Sequence, residues 1–181
     1  MLEVDEDSRL GSELIALGKR YGAADVPGED QIADFYEIAV ERLSRMGIAR
    51  YEISNFARPG FESQHNLKYW KREPYLGFGA DAHSFDGEWR WQNAESPAEY
   101  VERPSAGERL GADAESERFF LGLRLAEGIE NWESRESELR RFIDSGLLEV
   151  HGSRLRLTSR GVMLSNEVFA EFVDSPASVR A

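Results

Sequence analysis

The first strong periodic pattern in the chain lies between residues 29 and 47. Six apolar side chains recur there at the three- and four-residue spacing of one helical face: Ile32, Phe35, Tyr36, Ala39, Leu43 and Met46. This spacing predicts an amphipathic helix whose apolar face is buried. Glu29 and Asp30 suit the positive N-terminal end of such a helix, and Gly47 can end it.

Extended segments flank this helix on both sides. The sequences MLEV at 1–4 and IARYEIS at 48–54 are typical of strands. The order strand, helix, strand is the rhythm of a parallel sheet that has helices packed outside it. Because MLEV runs at once into an acidic turn, we expect the sequence to begin inside a fold.

Turn and strand signals follow in the next thirty or so residues. In ARPGF, Pro59 and Gly60 predict a type II turn. The segment YLGFGADAHSF at 75–85 predicts a strand of small residues, in which Gly77 and Gly79 allow a close approach by a ligand or by backbone. The sequence SFDGEWRW after it predicts a hairpin with an Asp-Gly turn.

Residues 93–114 are polar, contain prolines and glycines, and show no long apolar periodicity, which indicates a domain boundary. We therefore predict a first domain at 1–92, a linker at 93–114 and a second domain at 115–175. The second domain is expected to contain a helix near 115–128, a helix that Gly146 ends, a hairpin, and a closing helix capped by Thr158. Helix, helix, hairpin, helix is the order of a winged helix.

Composition and charge narrow the classes of function. A hydrophobic content of 41% in 181 residues is enough to bury a core. The formal net charge of −12 repels a phosphate backbone, so nucleic acid is not an expected partner. No apolar run approaches the roughly 20 residues that span a bilayer, and we expect a cytoplasmic protein. The absence of cysteine excludes disulfides, thiolate zinc sites and thiolate-held iron–sulfur clusters from this chain taken alone.

Several motifs in a fixed order resemble the haem chaperone HemW family, the radical SAM relatives of oxygen-independent coproporphyrinogen III oxidase. The resemblance spans nearly the whole chain and rests on these sequences: YEISNFARPG, HNLKYW, YLGFGADAHS, LGLRLAEGI and GLLEV followed by LRLTSRG. It implies an α/β fold, in which the C-terminal part of a partial TIM-like radical SAM barrel precedes a small α+β winged-helix-like domain.

The resemblance also implies cofactors that this chain cannot hold unaided. In that family the N-terminal half carries a three-cysteine motif for a [4Fe-4S] cluster that binds S-adenosylmethionine. Because the present chain has no cysteine, we expect it to correspond to the C-terminal half and to need the missing half of the barrel for any reductive cleavage of S-adenosylmethionine.

HNLKYW matches the family motif HNxxYW, which is proposed to bind haem, at His65, Asn66, Tyr69 and Trp70. A neutral imidazole is a good axial donor to haem iron, a tyrosine offers an oxygen or a hydrogen bond, and a tryptophan offers apolar surface. The alternative is structural, with the first two side chains satisfying local backbone groups and the two aromatic rings in the core. Both interpretations are open from the sequence.

The segment GFGADAHS is the second candidate site. The resemblance to coproporphyrinogen oxidases implies that a final barrel strand passes bound S-adenosylmethionine here, beside Gly79, Ala80, Ala82 and His83. Small residues let a cofactor approach the backbone. They equally let a helix pack closely, so this interpretation is also open.

The expected function is the C-terminal portion of a haem chaperone that binds haem and S-adenosylmethionine when complete. Its partners would be haem or porphyrin, the N-terminal half of the barrel and haem-accepting proteins. One alternative is an oxygen-independent coproporphyrinogen III oxidase, and another is a non-catalytic winged-helix interaction module. Because the cluster cysteines are absent, we expect no activity from this chain alone and assign no catalytic residue to it.

Overall fold

The computed structural model describes residue 4 and residues 6–104 and 107–173, and the boundary between two compact units falls between Arg50 and Tyr51. The described part of the first unit contains the following elements: helix α1 at Arg9–Ile15, a 3₁₀ helix at Arg20–Asp25, helix α2 at Glu29–Arg45 and strand β1 at Ala49–Arg50. The predicted amphipathic helix is confirmed in α2, and Gly47 follows it with φ +73°.

The apolar face of α2 is not buried, contrary to the prediction. Phe35 is 58% exposed, and Ile38 and Met46 are also exposed. Within the described residues of this unit only Gly11 and Ala23 are buried. Because the unit's one described strand has two residues, it offers no sheet of its own to cover the helix.

Of the two strands expected on either side of α2, one falls within the described residues. The strand at 1–4 lies outside the described residues except for Val4, which has no regular structure. The strand at 48–54 is reduced to β1 and a one-residue antiparallel bridge between Glu52 and Leu125. The chain turns back at once, since the Tyr51 amide donates to the Asn55 carbonyl at 3.2 Å.

The second unit mixes helices and strands, as the sequence predicts. Its elements are β2 at Phe56–Ala57, α3 at Gln64–Trp70, β3 at His83–Phe85, β4 at Trp89–Gln92, α4 at Pro97–Glu102, β5 at Leu110–Gly111, α5 at Ala114–Gly122, a 3₁₀ helix at Trp132–Arg135, α6 at Glu136–Asp144, β6 at Leu148–His151, β7 at Arg154–Leu157, α7 at Ser159–Met163 and α8 at Ser165–Val173. Strands β3, β4 and β5 form one antiparallel sheet, and β6 and β7 form a second.

The predicted Asp-Gly hairpin joins β3 to β4. The Asp86 carboxylate accepts hydrogen bonds from the Glu88 and Trp89 amides at 3.0 and 2.7 Å, and Gly87 takes φ +107°. The turn at Pro59 and Gly60 is confirmed as well, because Gly60 has φ +86° and the turn closes with a 2.9 Å bond from the Phe61 amide to the Arg58 carbonyl.

The prediction of one strand across residues 75–85 is wrong. The segment folds back on itself, so that the Tyr75 and Phe85 backbones exchange hydrogen bonds of 2.8 and 2.9 Å. Between them, Gly79 and Asp81 take φ +103° and +64°, which no strand accommodates. Only His83–Phe85 remains in a strand.

The core of the second unit lies between α5, α6, β6, β7 and α8. Its fully buried side chains include Phe119, Leu123, Leu139, Leu155 and Val168. The Phe119 ring stacks on Phe172 at 5.2 Å between centroids. Helix, helix, hairpin, helix is the observed order, with the closing helix divided into α7 and α8, and the Thr158 hydroxyl caps α7 by accepting from the Gly161 amide at 2.9 Å.

The predicted linker at 93–114 contains α4 and β5, and both lie inside the second unit. The domain limits at 1–92 and 115–175 therefore stay a prediction. Among the described residues, no helix has the length and apolar character that crossing a membrane requires.

We predict that Phe119→Ala lowers the free energy of unfolding by about 3–5 kcal/mol. Phe119 is 0% exposed, and its removal opens a cavity beside Phe172. Val101→Ala, at a position that is 81% exposed, is the control and is expected to change stability by less than about 0.5 kcal/mol. Chemical denaturation measures both. Equal effects of the two changes would contradict the placement of the core.

Candidate functional site

The motif HNLKYW forms the helix α3. The Ser63 hydroxyl caps its start by accepting from the Asn66 amide at 3.3 Å. The helix ends after Trp70, where Arg72 takes φ +58° and its amide donates to the Tyr69 carbonyl at 3.0 Å. Both ends of the motif are therefore defined by local bonds.

His65 and Tyr69 lie on one face of α3. They are four residues apart, which places side chains above one another on a helix. Their rings meet edge to face at 5.0 Å between centroids, and Tyr69 meets Tyr75 in the same way at 4.6 Å. The imidazole of His65 is exposed, whereas both tyrosine rings are half-buried.

These rings border an open depression of about 400 Å³, whose lining residues are Gln64, His65, Lys68, Tyr69, Tyr75 and Leu76. Its volume falls within the roughly 300–1,000 Å³ of small-molecule sites. Leu76 is 65% exposed and adds apolar surface. Lys68 forms no ion pair with any residue in the described ranges.

Four of these lining residues, Lys68, Tyr75, Leu76 and Gln64, were not predicted as site residues. The helical spacing of Lys68 from His65 was a signal that could have found the first. Tyr75 and Leu76 reach the depression because the chain after α3 folds back, and no local pattern in the sequence shows that reversal.

Asn66 and Trp70 occupy a different face of α3 and do not line the depression. The Trp70 ring lies against the Arg124 guanidinium, 4.5 Å from its central carbon. The structure thus brings two of the four predicted haem-contact residues together at the depression, and places Trp70 inward instead.

An ion cluster anchors the end of α3. Arg72 and Arg90 both donate to the Glu117 carboxylate of α5, with contacts of 2.6 to 3.0 Å. Their guanidinium groups also lie 4.8 and 4.2 Å from the centre of the buried Phe85 ring. Arg90 donates in addition to the Tyr75 hydroxyl at 3.1 Å, which connects the cluster to the wall of the depression.

The cluster shifts the titration of its members. Burial acts to raise the pKa of Glu117, but hydrogen bonds and charge from Arg90 and Arg72 outweigh it and lower that pKa below its ordinary value. The hydrogen bond from Arg90 to Glu117 raises the pKa of Arg90 against the effect of burial. The ion pair is therefore kept charged at neutral pH.

The second candidate site, at residues 79–83, is a turn that leads into β3. The buried Asn93 side chain donates to the carbonyls of Gly77 and Gly79 at 3.1 and 2.9 Å, and the Asp81 amide donates to the Ala94 carbonyl at 2.9 Å. Position 77 requires glycine, because a Cβ there would lie 2.2 Å from the backbone carbonyl oxygen of His83. Gly79 has open space beside it instead.

The predicted cofactor-binding residues are Gly79, Ala80, Ala82 and His83, none of which lines the depression beside α3. The three small residues are half-buried and His83 is exposed. Over the described ranges, no three side chains of His, Asp or Glu are grouped so that they could hold a metal ion.

Comparisons with known proteins find a family model and curated relatives that are similar to this chain. A family model described as the HemN C-terminal domain matches residues 111–164. The heme chaperone HemW of Mycobacterium tuberculosis strain H37Rv is 41% identical over 160 residues, which cover 82% of this chain and 41% of that protein. HemW of Bacillus subtilis is 34% identical over 171 residues, covering 84% of this chain and 45% of the relative.

A relative outside bacteria and a solved structure extend the comparison. Radical S-adenosyl methionine domain-containing protein 1 of Danio rerio, a mitochondrial protein, is 33% identical over 169 residues, covering 81% of this chain and 38% of the relative. The coproporphyrinogen III oxidase HemN of Escherichia coli, described as a radical SAM enzyme, has a similar fold, with a TM-score of 0.59 and 18% identity. The similarity covers 82% of this chain and 42% of that structure.

The resemblance to HemW proteins that the sequence motifs indicated is thereby confirmed. The chain spans less than half the length of the curated relatives described above.

We predict that the Glu117 ion cluster makes stability depend on pH. A carboxyl whose pKa is lowered by folding stabilises the fold above its ordinary value of 4.5, and this contribution is lost as the pH falls through the lower folded value. Glu117→Gln should therefore cost about 1–3 kcal/mol near pH 7 and flatten the loss of stability toward about pH 3. Denaturation across this pH range measures both effects.

Glu149→Gln is the matched control, because it removes an ion pair with Arg156 in which both side chains are about a third or more exposed. It should cost less than about 1 kcal/mol at any pH. A pH profile for Glu117→Gln that runs parallel to the wild-type profile would contradict the assignment.

Proposed function

We infer that this chain, a relative of the heme chaperone HemW proteins that carries a HemN C-terminal domain at residues 111–164, is the C-terminal portion of a HemW-like haem chaperone. The observation that carries the proposal is the depression beside α3, where an exposed imidazole stands among two tyrosines, a lysine and a leucine. The family resemblance supplies haem as the cargo, and the donor set is suited to it.

The depression fits a haem group by the chemistry of its lining residues. The imidazole of His65 is an axial donor of the type that haem iron takes, and Tyr69 beside it offers an oxygen. Leu76 and the Tyr75 ring offer apolar and aromatic surface to a porphyrin. We propose that these residues contact haem. Trp70 supports the helix from its inner face, where it packs on Arg124.

Lys68 would bind the propionate carboxylates of haem. It lies one turn beyond His65 on the same depression, and its ammonium is a mobile point charge that can follow a flexible propionate. Two of the three lysines in the chain, Lys68 and Lys71, belong to this short stretch. In a chain with a net charge of −12, the stretch is locally basic, which favours an anionic ligand.

The family resemblance also implies a [4Fe-4S] cluster and S-adenosylmethionine, and the chain's residues suit only the second. A [4Fe-4S] cluster does not fit it, because the chain has no cysteine to offer. Contact with S-adenosylmethionine at Gly79, Ala80, Ala82 and His83 stays part of the proposal. The open space beside the Gly79 backbone supports it, since a ligand can approach there closely.

The finer fold is also proposed. Residues 1–92 would contribute the last strands and helices of a radical SAM barrel whose remaining strands belong to an N-terminal half. Residues 115–175 would form a winged-helix-like docking domain. The similar fold of HemN supports this arrangement. Haem-accepting proteins in the cytoplasm are the proposed recipients of the cargo.

We predict that His65→Ala weakens haem binding by roughly tenfold or more and shifts the haem absorption band, because an iron–nitrogen bond is lost. His83→Ala and His151→Ala are the controls, since both replace exposed histidines outside the depression. Titration of haem into each folded variant, followed by absorption, measures affinity and ligation together. Identical affinity and spectra for wild type and His65→Ala would reject axial ligation by this residue.

We predict that Lys68→Gln weakens haem binding by roughly three- to tenfold at low salt, and that the effect shrinks as salt is added. The same change should leave the affinity for haem dimethyl ester unaltered, because the ester has no free carboxylate. Lys71→Gln is the matched control, as this neighbouring lysine does not line the depression. Equal losses with haem and with its ester would show that Lys68 does not read the carboxylates.

A further inference from the structure

A buried carboxylate lies close to the inner face of α3. Glu52 is 0% exposed, and its Oε1 accepts from the Ser54 amide at 3.0 Å and from the Asn55 side chain at 2.5 Å. Its Oε2 has no hydrogen-bond partner within the described part of the chain. An antiparallel bridge pairs Glu52 with Leu125, the residue that follows Arg124 in the chain.

Arg124 is a cation near enough to interact with the Glu52 charge, but its buried Nε forms no hydrogen bond within the described part of the chain. Burial lowers the pKa of its guanidinium, and the negative charge of Glu52 opposes that effect. The guanidinium lies 4.5 Å from the centre of the Trp70 ring and 5.6 Å from that of Phe169. Aromatic faces attract such a cation, most strongly where water is excluded. The two rings thus hold Arg124 in a half-buried position.

Trp70 links this pair to α3. Its Nε1 is buried and has no hydrogen-bond partner among the described residues, so the position of the ring depends on stacking and packing. The helix has seven residues, none of them fully buried. A helix of this length is unstable without tertiary contacts, so the contact at Trp70 constrains every side chain that it carries.

We propose that Arg124 is a positioning residue for α3 and that it acts by stacking on Trp70. The contact fixes the opposite face of the helix, where His65 and Tyr69 border the depression. Its importance for haem rests on the proposed function, whereas the anchoring of the helix does not.

Amide hydrogen exchange tests the anchoring without any ligand. The reporters are the amides of Leu67 and Lys71, which donate within α3 to the carbonyls of Ser63 and Leu67. Arg124→Leu, which keeps apolar bulk and removes the planar cation, should speed their exchange by roughly tenfold or more. The Leu155 amide, bonded to Ile129 in the core, should exchange at the wild-type rate.

Two further variants keep the test decisive. Arg124→Leu leaves Glu52 as a lone buried charge, so the double variant Glu52→Gln with Arg124→Leu removes that charge and preserves a foldable protein for the same measurement. Arg135→Leu is the matched control, since Arg135 also lies over two rings, Phe119 and Phe172, and forms its ion pair with Glu138. It should not speed exchange in α3 relative to the core.

Haem titration of the same variants forms the second arm. We expect Arg124→Leu to lower haem affinity by roughly tenfold and to reduce the spectral signature that depends on His65. Unchanged exchange in α3 would overturn the positioning role, whatever the haem result. Faster exchange with unchanged haem affinity would overturn its link to the cargo. If wild type binds no haem, the proposed function fails alone, because the exchange result still decides the role of Arg124.

Discussion

A helix of seven residues does not hold its shape in water, and α3 is therefore only as well placed as the side chains that anchor it. Three contacts do this: Trp70 stacks on Arg124, Arg72 pairs with Glu117, and Tyr69 packs on Tyr75. Each of them joins α3, or the turn that ends it, to a residue outside the helix. The depression exists because these contacts hold one helical face outward.

Local chemistry was predictable from the sequence where the controlling contacts are local. The Asp-Gly hairpin at residue 86, the turn at Gly60 and the cap at Thr158 each depend on neighbours within three residues. The prediction of a single strand across 75–85 is wrong because the segment reverses. The reversal depends on positive φ at Gly79 and Asp81 and on Asn93, which follows β4 and donates to the turn. The pattern of apolar and polar residues within 75–85 does not show these contacts.

The candidate site likewise contains residues that the sequence predicts and residues that it does not. The motif identified His65 and Tyr69, and helical geometry brings them together. It could not show that Trp70 faces inward, since that depends on Arg124, or that Tyr75 and Leu76 return to the depression. The apolar face of α2 is predicted as buried, but the described residues of the first unit contain a single two-residue strand and no sheet to cover it. Periodicity predicts an apolar face and not what covers it.

The outward face of α3 is the surface that we propose to contact a tetrapyrrole. Titration of the isotope-labelled chain with zinc protoporphyrin, which is diamagnetic and binds an axial imidazole, tests it directly by nuclear magnetic resonance. Ring-current shifts should be largest at the residues that line the depression: His65, Lys68, Tyr69, Tyr75 and Leu76. Shifts that are largest in α7 and α8, or no shifts at all at saturating porphyrin, would contradict the account.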